Sequence, residues 1–264
     1  MNIFRGFNPD EERERVFGGQ VAAQALMAAA RTVPEGRRVH SLHSYFLRPG
    51  DMKDPILYLV DRIRDGKSFT TRRVVAVQHG EAIFNLQASF QVDEPGLVHG
   101  MEMPDAPDPE TLPTMAERLA SFGRKFPRQA SEPRAIDIRW CDTPGWKPHK
   151  GADSRSMVWM RADGEVADDQ ILQTCVLVYA SDFTLTETVM RPHGVHWSDP
   201  GVMAASLDHA MWFHRDLKVD DWWLYVEDSP AAQSARGLAR GLIFDRAGRL
   251  CCTVVQEILL RAPL

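Results

Sequence analysis

Apolar residues recur along this chain in two different rhythms, and the switches between them predict the elements. Residues 18–30, GGQVAAQALMAAA, are small and apolar apart from two glutamines, which predicts a thin helix stopped before Pro34-Glu35-Gly36. So little polar surface on a helix means that other elements must wrap it. Residues 39–47, 55–63, 68–78 and 81–92 are strand-like runs, separated by the turn signals Pro49-Gly50-Asp51, Asp65-Gly66 and His79-Gly80. One helix followed by a four-strand antiparallel meander is the expected result.

The second half repeats the plan. Residues 135–140 and 156–161 read as strands, 168–182 as a helix, and 205–214, 222–227, 235–244 and 250–260 as four more strands, with Asp199-Pro200-Gly201 closing a loop and Arg246-Ala247-Gly248 forming a hairpin turn. Local echoes support a duplication: Tyr45-Phe46-Leu47-Arg48 answers Trp212-Phe213-His214-Arg215. Between the halves, residues 93–133 carry Pro95, Pro104, Pro107, Pro109, Pro113, Pro127 and Pro133, acidic residues and one short helical candidate at 115–126, the composition of an ordered linker packed on the outside. The predicted organisation is an N-terminal unit 1–92, a linker 93–133 and a C-terminal unit 134–264. An antiparallel sheet wrapped around a central helix, twice in one chain, is an α+β tandem (double) hot-dog, with the two sheets expected to join into one continuous surface.

Composition narrows the class without deciding function. The 264 residues are 44% hydrophobic and 25% charged, an ordinary globular mixture. A net charge of -5 offers no basic field for nucleic acid or an anionic membrane. Cys141, Cys175, Cys251 and Cys252 lie in apolar runs without metal or disulfide spacing, which suits reduced thiols and a cytoplasmic setting. The opening residues lack an apolar leader, no run has membrane-spanning length, and the ending Arg-Ala-Pro-Leu is not a peroxisomal address.

Among candidate chemistries, the nucleophile elbow, dinucleotide and P-loop signatures are absent. His40 and His43 would point to opposite faces of a strand, a poor metal chelate; with His193 and His196 they read as structural or surface histidines. Asp182 stands apart. It closes an apolar helix, where a carboxylate opposes the negative end of the helix dipole, so it is either solvated or functional. Gln256, by strict alternation, shares a face with Cys252, Val254 and Ile258, and Ser206 lies in another strand-like run. Met211, Trp212, Phe213, Trp222 and Trp223 read as core first and as the lining of an apolar tunnel second.

At these residues the chain resembles the acyl-CoA thioesterase II family of double hot-dog thioesterases over almost its full length. The matching text includes Arg15-Val16-Phe17-Gly18-Gly19-Gln20-Val21, residues 39–51 (VHSLHSYFLRPGD), Arg64-Asp65-Gly66-Lys67-Ser68-Phe69, Tyr179-Ala180-Ser181-Asp182, residues 208–215 (DHAMWFHR), Ser234-Ala235-Arg236-Gly237 and Val255-Gln256-Glu257. The resemblance implies hydrolysis of acyl-CoA to a carboxylic acid and coenzyme A by a water held on Asp182, Ser206 and Gln256, with Ser206 where the family has Thr. Gly18, Gly19 and Gln20 are then candidates for binding the substrate or its oxyanion, and Arg236 and Arg240 for binding phosphate. No metal or cofactor is implied, since coenzyme A is part of the substrate. A homodimer or higher homo-oligomer is expected, as is a short or missing first strand in the first unit. Two competing activities are a non-catalytic acyl-CoA-binding protein and a hot-dog enoyl-CoA hydratase; the hydratase would want a histidine that residues 183–188 lack.

Overall fold

The computed structural model describes residues 2–9, 15–121, 135–141, 149–196 and 199–263. The amino-terminal half contains β1 (Asn2–Gly6), α1 (Gly18–Ala30), β2 (Arg37–Phe46), β3 (Ile56–Asp65), β4 (Phe69–Gln78) and β5 (Glu81–Val92). A short helix, α2 (Met115–Ser121), lies in the connecting segment; the remainder of the candidate at 115–126, with Pro127 and Pro133, falls outside the described residues. The second half contains β6 (Ile136–Trp140), β7 (Ser156–Ala162), α3 (Gln170–Ser181), α4 (Leu185–Met190), β8 (Met203–Ser206), β9 (Asp208–Phe213), β10 (Trp223–Gln233), β11 (Arg236–Asp245) and β12 (Leu250–Arg261).

Among the described residues twelve strands join one sheet, ordered β1-β3-β4-β5-β2-β9-β12-β11-β10-β7-β6, with β8 on β12. The two halves meet where β2 pairs antiparallel with β9 from Ser41↔Trp212 to Tyr45↔Asp208. On the inner side α1 and α3 lie together; Val21, Ala22, Ala25, Leu26 and Ala29 of α1 and Leu177, Val178 and Ala180 of α3 are buried in one core with the inward residues of the strands. This is the tandem hot-dog. Small side chains on α1 allow its backbone to approach α3 closely, and a Cβ added to Gly19 would lie 2.5 Å from the Tyr179 carbonyl oxygen.

Several expectations are corrected. The four strands after α1 do not form a single meander: β3-β4-β5 do, but β2 crosses over to pair with β5 rather than β3. Turn residues mark where strands end, whereas strand order is decided by which edge must meet the other half. The first strand is short, as expected, and not missing: β1 pairs with β3 over five residues. The run 205–214 is broken at Leu207, and β10 continues past Glu227 to Gln233 through a register shift between Asp228 and Ala231. Pro230 falls within that shift, where a residue without an N–H is tolerated. The six-residue α4 stands where a loop is expected.

Residues 101–112 cross the outer face of the second half. Trp159 Nε1 donates to the Pro107 carbonyl at 2.9 Å and Trp222 Nε1 to Glu110 Oε1 at 2.8 Å, above a small cluster of Trp159, Trp222, Leu224 and Phe244. Trp222, Trp223 and Met211 are thus core residues. Cys175, Cys251 and Cys252 are buried and Cys141 is half-buried. No helix among the described residues is long and apolar enough to cross a membrane.

The internal repeat can be followed residue by residue. In β2 a bulge places His40 between the pairs Val39↔Phe90 and Ser41↔Ser89. In the second half Leu207 interrupts the strand between Ser206↔Ile258 and the β9–β12 ladder. Superimposing the two irregularities aligns Val39 with Ser206, Leu42 with His209 and Ala88 with Gln256, while the helix C-caps align Arg31 with Asp182.

Candidate active site

Asp182 caps the C-terminus of α3 and is 9% exposed. Its own helix repels a carboxylate there. The compensation comes from the other unit: α1 begins at Gly18 against this side chain, with no side-chain cap from Phe17 and no acidic residue in its first turn. A Cβ on Gly18 would lie 2.8 Å from Asp182 Oδ2 and 2.7 Å from the Phe46 ring, so only glycine lets the helix end come this close. Asp182 therefore occupies the positive end of α1 as an anion would. Burial raises its pKa above the ordinary aspartate value. The nearby His209, hydrogen bonds from Gln256 and Ser206 and the Gly19 N–H pull the other way.

Ser206, the last residue of β8, donates from Oγ to Asp182 Oδ1 at 3.2 Å. Gln256 Nε2 donates to Ser206 Oγ at 2.7 Å. Gln256 is fully buried, facing inward with Cys252, Val254 and Ile258. Its Oε1 meets His209 Nδ1 in a short hydrogen bond, and His209 Nε2 lies 2.9 Å from Ser181 Oγ, the residue before Asp182. The five side chains thus close a ring through the backbone between Ser181 and Asp182. Directions in the ring are constrained: an amide oxygen only accepts, so Nδ1 of His209 carries a hydrogen, and this turns the Gln256 amide so that Nε2 faces Ser206.

The break at Leu207 is what makes the ring possible. Leu207 N–H donates to the Glu257 carbonyl, while its carbonyl accepts from Phe46 N–H, so the chain steps from β12 towards β2 at this point. Ser206 stays against β12, and β9 begins afresh with His209 pointing inward. His209 was missed as a site residue by sequence reasoning. The same alternation that places Gln256 inward would have found it, since His209 and Met211 are the buried positions of β9.

Of the other predicted site residues, Gly18 and Gly19 belong to the cluster through the α1 terminus. Gln20 turns away, donating from Nε2 to Asn8 Oδ1 at 3.1 Å. Arg236 is exposed and its Nε bonds Glu257 Oε1 at 2.9 Å on the opposite face of β12 from Gln256, and Arg240 pairs with Asp228. The structure does not bring either arginine to the cluster. His40 bonds Ser89, and His43 packs edge-on against Trp212.

An apolar groove of about 460 Å³ runs along the two helices, lined by Ala23 and Met27 of α1, Leu172, Cys175 and Val176 of α3 and Ile136 and Ala162 of the neighbouring strands, with Gln20 and Tyr179 also in its wall; the side chains of the cluster do not line it.

Comparison with known proteins agrees with this architecture. A family described as acyl-CoA thioesterase matches residues 130–259, and one described as acyl-CoA thioesterase N-terminal domain matches residues 9–91. Acyl-CoA thioesterase 2 of Haemophilus influenzae is 38% identical over 98% of this chain and 92% of its own length. Human acyl-coenzyme A thioesterase 8 is 39% identical over 98% of this chain and 85% of its own. The crystal structure of TesB2, an acyl-CoA thioesterase II from Mycobacterium marinum, is similar with a TM-score of 0.83 at 42% identity, covering 99% of this chain and 94% of that one. Fold and relatives together define a thioester hydrolase built as a double hot-dog. The chain belongs to the acyl-CoA thioesterase II family.

Proposed function

We propose that this protein hydrolyses acyl-CoA by direct attack of a water held by Asp182, Ser206 and Gln256. The observation that carries this reading is the directed chain of hydrogen bonds from Gln256 to Ser206 to Asp182, ending on a buried carboxylate at the first turn of α1. Asp182 accepts the proton of the attacking water, and its raised pKa makes it a stronger base than an exposed aspartate. Ser206 and Gln256 fix the carboxylate and the lone-pair directions around the water. His209 holds Gln256 in the required orientation. As the tetrahedral centre forms, negative charge develops on the former carbonyl oxygen. The α1 terminus is suited to receive it: Gly19 N–H is turned to Asp182 and Gln20 N–H to the Phe17 carbonyl, which leaves Gly18 N–H as the donor. The proton on Asp182 then passes to the departing coenzyme A sulfur. The acyl chain is assigned to the groove along α1 and α3, whose exposed surface is mostly apolar and whose wall includes Gln20, the residue after Gly19.

The test is thiol release from acyl-CoAs of graded chain length, on the natural chain and on Asp182→Asn. Release that collapses in the variant with the fold intact is the expected result. Near-full release from folded Asp182→Asn would refute the assignment.

A further inference from the structure

The repeat aligns the active cleft with a second one at the opposite end of the helix pair. There the C-terminus of α1 meets the N-terminus of α3, and a cavity of about 1040 Å³ opens between them, in the size range of sites for cofactor-sized ligands. Its chemistry differs at every position that matters for hydrolysis. Arg31 stands for Asp182, Val39 for Ser206, Ala88 for Gln256 and Leu42 for His209. The space behind is closed by Arg72, opposite Ala88 on β4, whose buried guanidinium bonds Thr32 Oγ1, the Thr32 carbonyl and Asp65. The carboxylate, hydroxyl and amide to which the proposed mechanism assigns the water have no counterparts there, so this cleft lacks the groups for hydrolysis by that route.

It is nevertheless supplied with cations. Arg31 has no acidic partner among the described residues. Arg37, in the cavity wall, binds the Gly66 and Lys67 carbonyls through Nη2, while its Nη1 is buried without a hydrogen-bond partner, an unmet donor that costs free energy. Arg215 is held through Nη1 by the Leu250 carbonyl only. Five acids line the cavity with five arginines: Asp216 pairs with Arg38, while Asp169 caps α3 through the N–H groups of Ile171 and Leu172 and Glu94 accepts from Ser68 and Gln91, bonds that engage their oxygens but leave their charges in place. Glu35 and Asp93 are left against three guanidinium groups with bonding capacity to spare.

We propose that this cleft is a second, non-hydrolytic site for a phosphorylated ligand of the coenzyme A class, the free thiol product or its acyl ester, held by Arg31, Arg37 and Arg215. The choice of ligand rests on the thioesterase reading above; the anionic character rests on the cavity alone. One chain would then bind two such ligands and hydrolyse only one.

The experiment is calorimetric titration of the full chain with coenzyme A, with adenosine 3′,5′-bisphosphate and inorganic phosphate as separate probes. Two sites per chain are expected, with the bisphosphate competing at the second. Arg31→Glu, and independently Arg37→Gln, should weaken one site at least about tenfold and leave the rate of thiol release unchanged. A single site in the natural chain overturns the proposal, as do two sites that both ignore the two substitutions. If only inorganic phosphate binds, the site is one for small anions and the coenzyme A assignment is wrong. Thiol release is measured separately, so a chain that binds two ligands but releases no thiol would sink the hydrolytic reading and leave the second site standing.

Discussion

Glu227 is the most exacting point at which to test how this fold holds its site. It lies on β10, 1% exposed, with Thr184 Oγ1 donating to one carboxyl oxygen and Thr188 Oγ1 to the other at 3.2 Å. Thr184 is two residues beyond Asp182, so this clamp ties the turn that carries Asp182, and α4 after it, to the sheet. Burial pushes the Glu227 pKa up and Glu187 adds to the rise; the two threonine hydroxyls and Arg191 oppose it, and the balance stands at about 8 against an ordinary 4.5. At about 1.4 kcal/mol per pKa unit, ionising this carboxyl inside the fold costs on the order of 5 kcal/mol more than in the unfolded chain. The folded state binds a proton that the unfolded state has released. Stability from this residue is therefore greatest below about pH 4.5 and declines as pH rises towards 8. Between about pH 5 and about pH 7 the decline is roughly 2–3 kcal/mol. Glu227→Gln keeps the shape and a carbonyl acceptor but cannot ionise. Chemical denaturation of both proteins across that interval should show the natural chain losing roughly 2–3 kcal/mol more than the variant. Parallel curves would mean that Glu227 is already ionised in the folded protein, and the desolvation argument would fall.

Other outcomes follow from the cluster. Gly18→Ala places a methyl group against Asp182 Oδ2 and Phe46; thiol release should drop at least about tenfold while circular dichroism and the denaturation midpoint change little. His209→Phe keeps the ring but leaves Gln256 Oε1 buried and unpaired, so stability should fall by about 1–3 kcal/mol and turnover should fall with it; unchanged turnover would show that Gln256 needs no orienting partner. Because burial raises the Asp182 pKa, the acid limb of kcat/KM should lie above the ordinary aspartate range, with activity gained as pH rises through it, and residual activity of Asp182→Asn should lack that limb.

Much of this architecture was legible in the chain. The α1 helix runs over Gly18–Ala30 as its small-residue run predicts, because its ends are fixed by local signals: glycines that admit close packing at one end and a Pro-Glu-Gly break beyond the other. The duplicated plan was legible for the same reason, as each turn is a local event. Strand order was not, because the pairing of β2 with β5 depends on contacts far apart in sequence. The break at Leu207 was hidden for a related cause: its flanks both read as strand, and only the two ladders they join reveal the step. For the candidate site, Asp182 was legible as an electrostatic conflict, a carboxylate at the wrong end of its helix. What resolves that conflict, the first turn of α1, lies more than 150 residues earlier in the chain. His209 stood in a quoted motif, but its role depends on a register that links β9 to β12.

The ladder from Ser41↔Trp212 to Tyr45↔Asp208 is the seam through which the two halves share a sheet. The carboxylate comes from one side of that seam and the helix end that accommodates it from the other. Slippage along the seam by a fraction of a residue spacing would leave the strand ladders within each half intact and still pull Asp182 away from Gly18. Turnover is therefore a gauge of alignment between the two halves, and on gradual denaturation it should fade ahead of any spectroscopic sign that either half has melted.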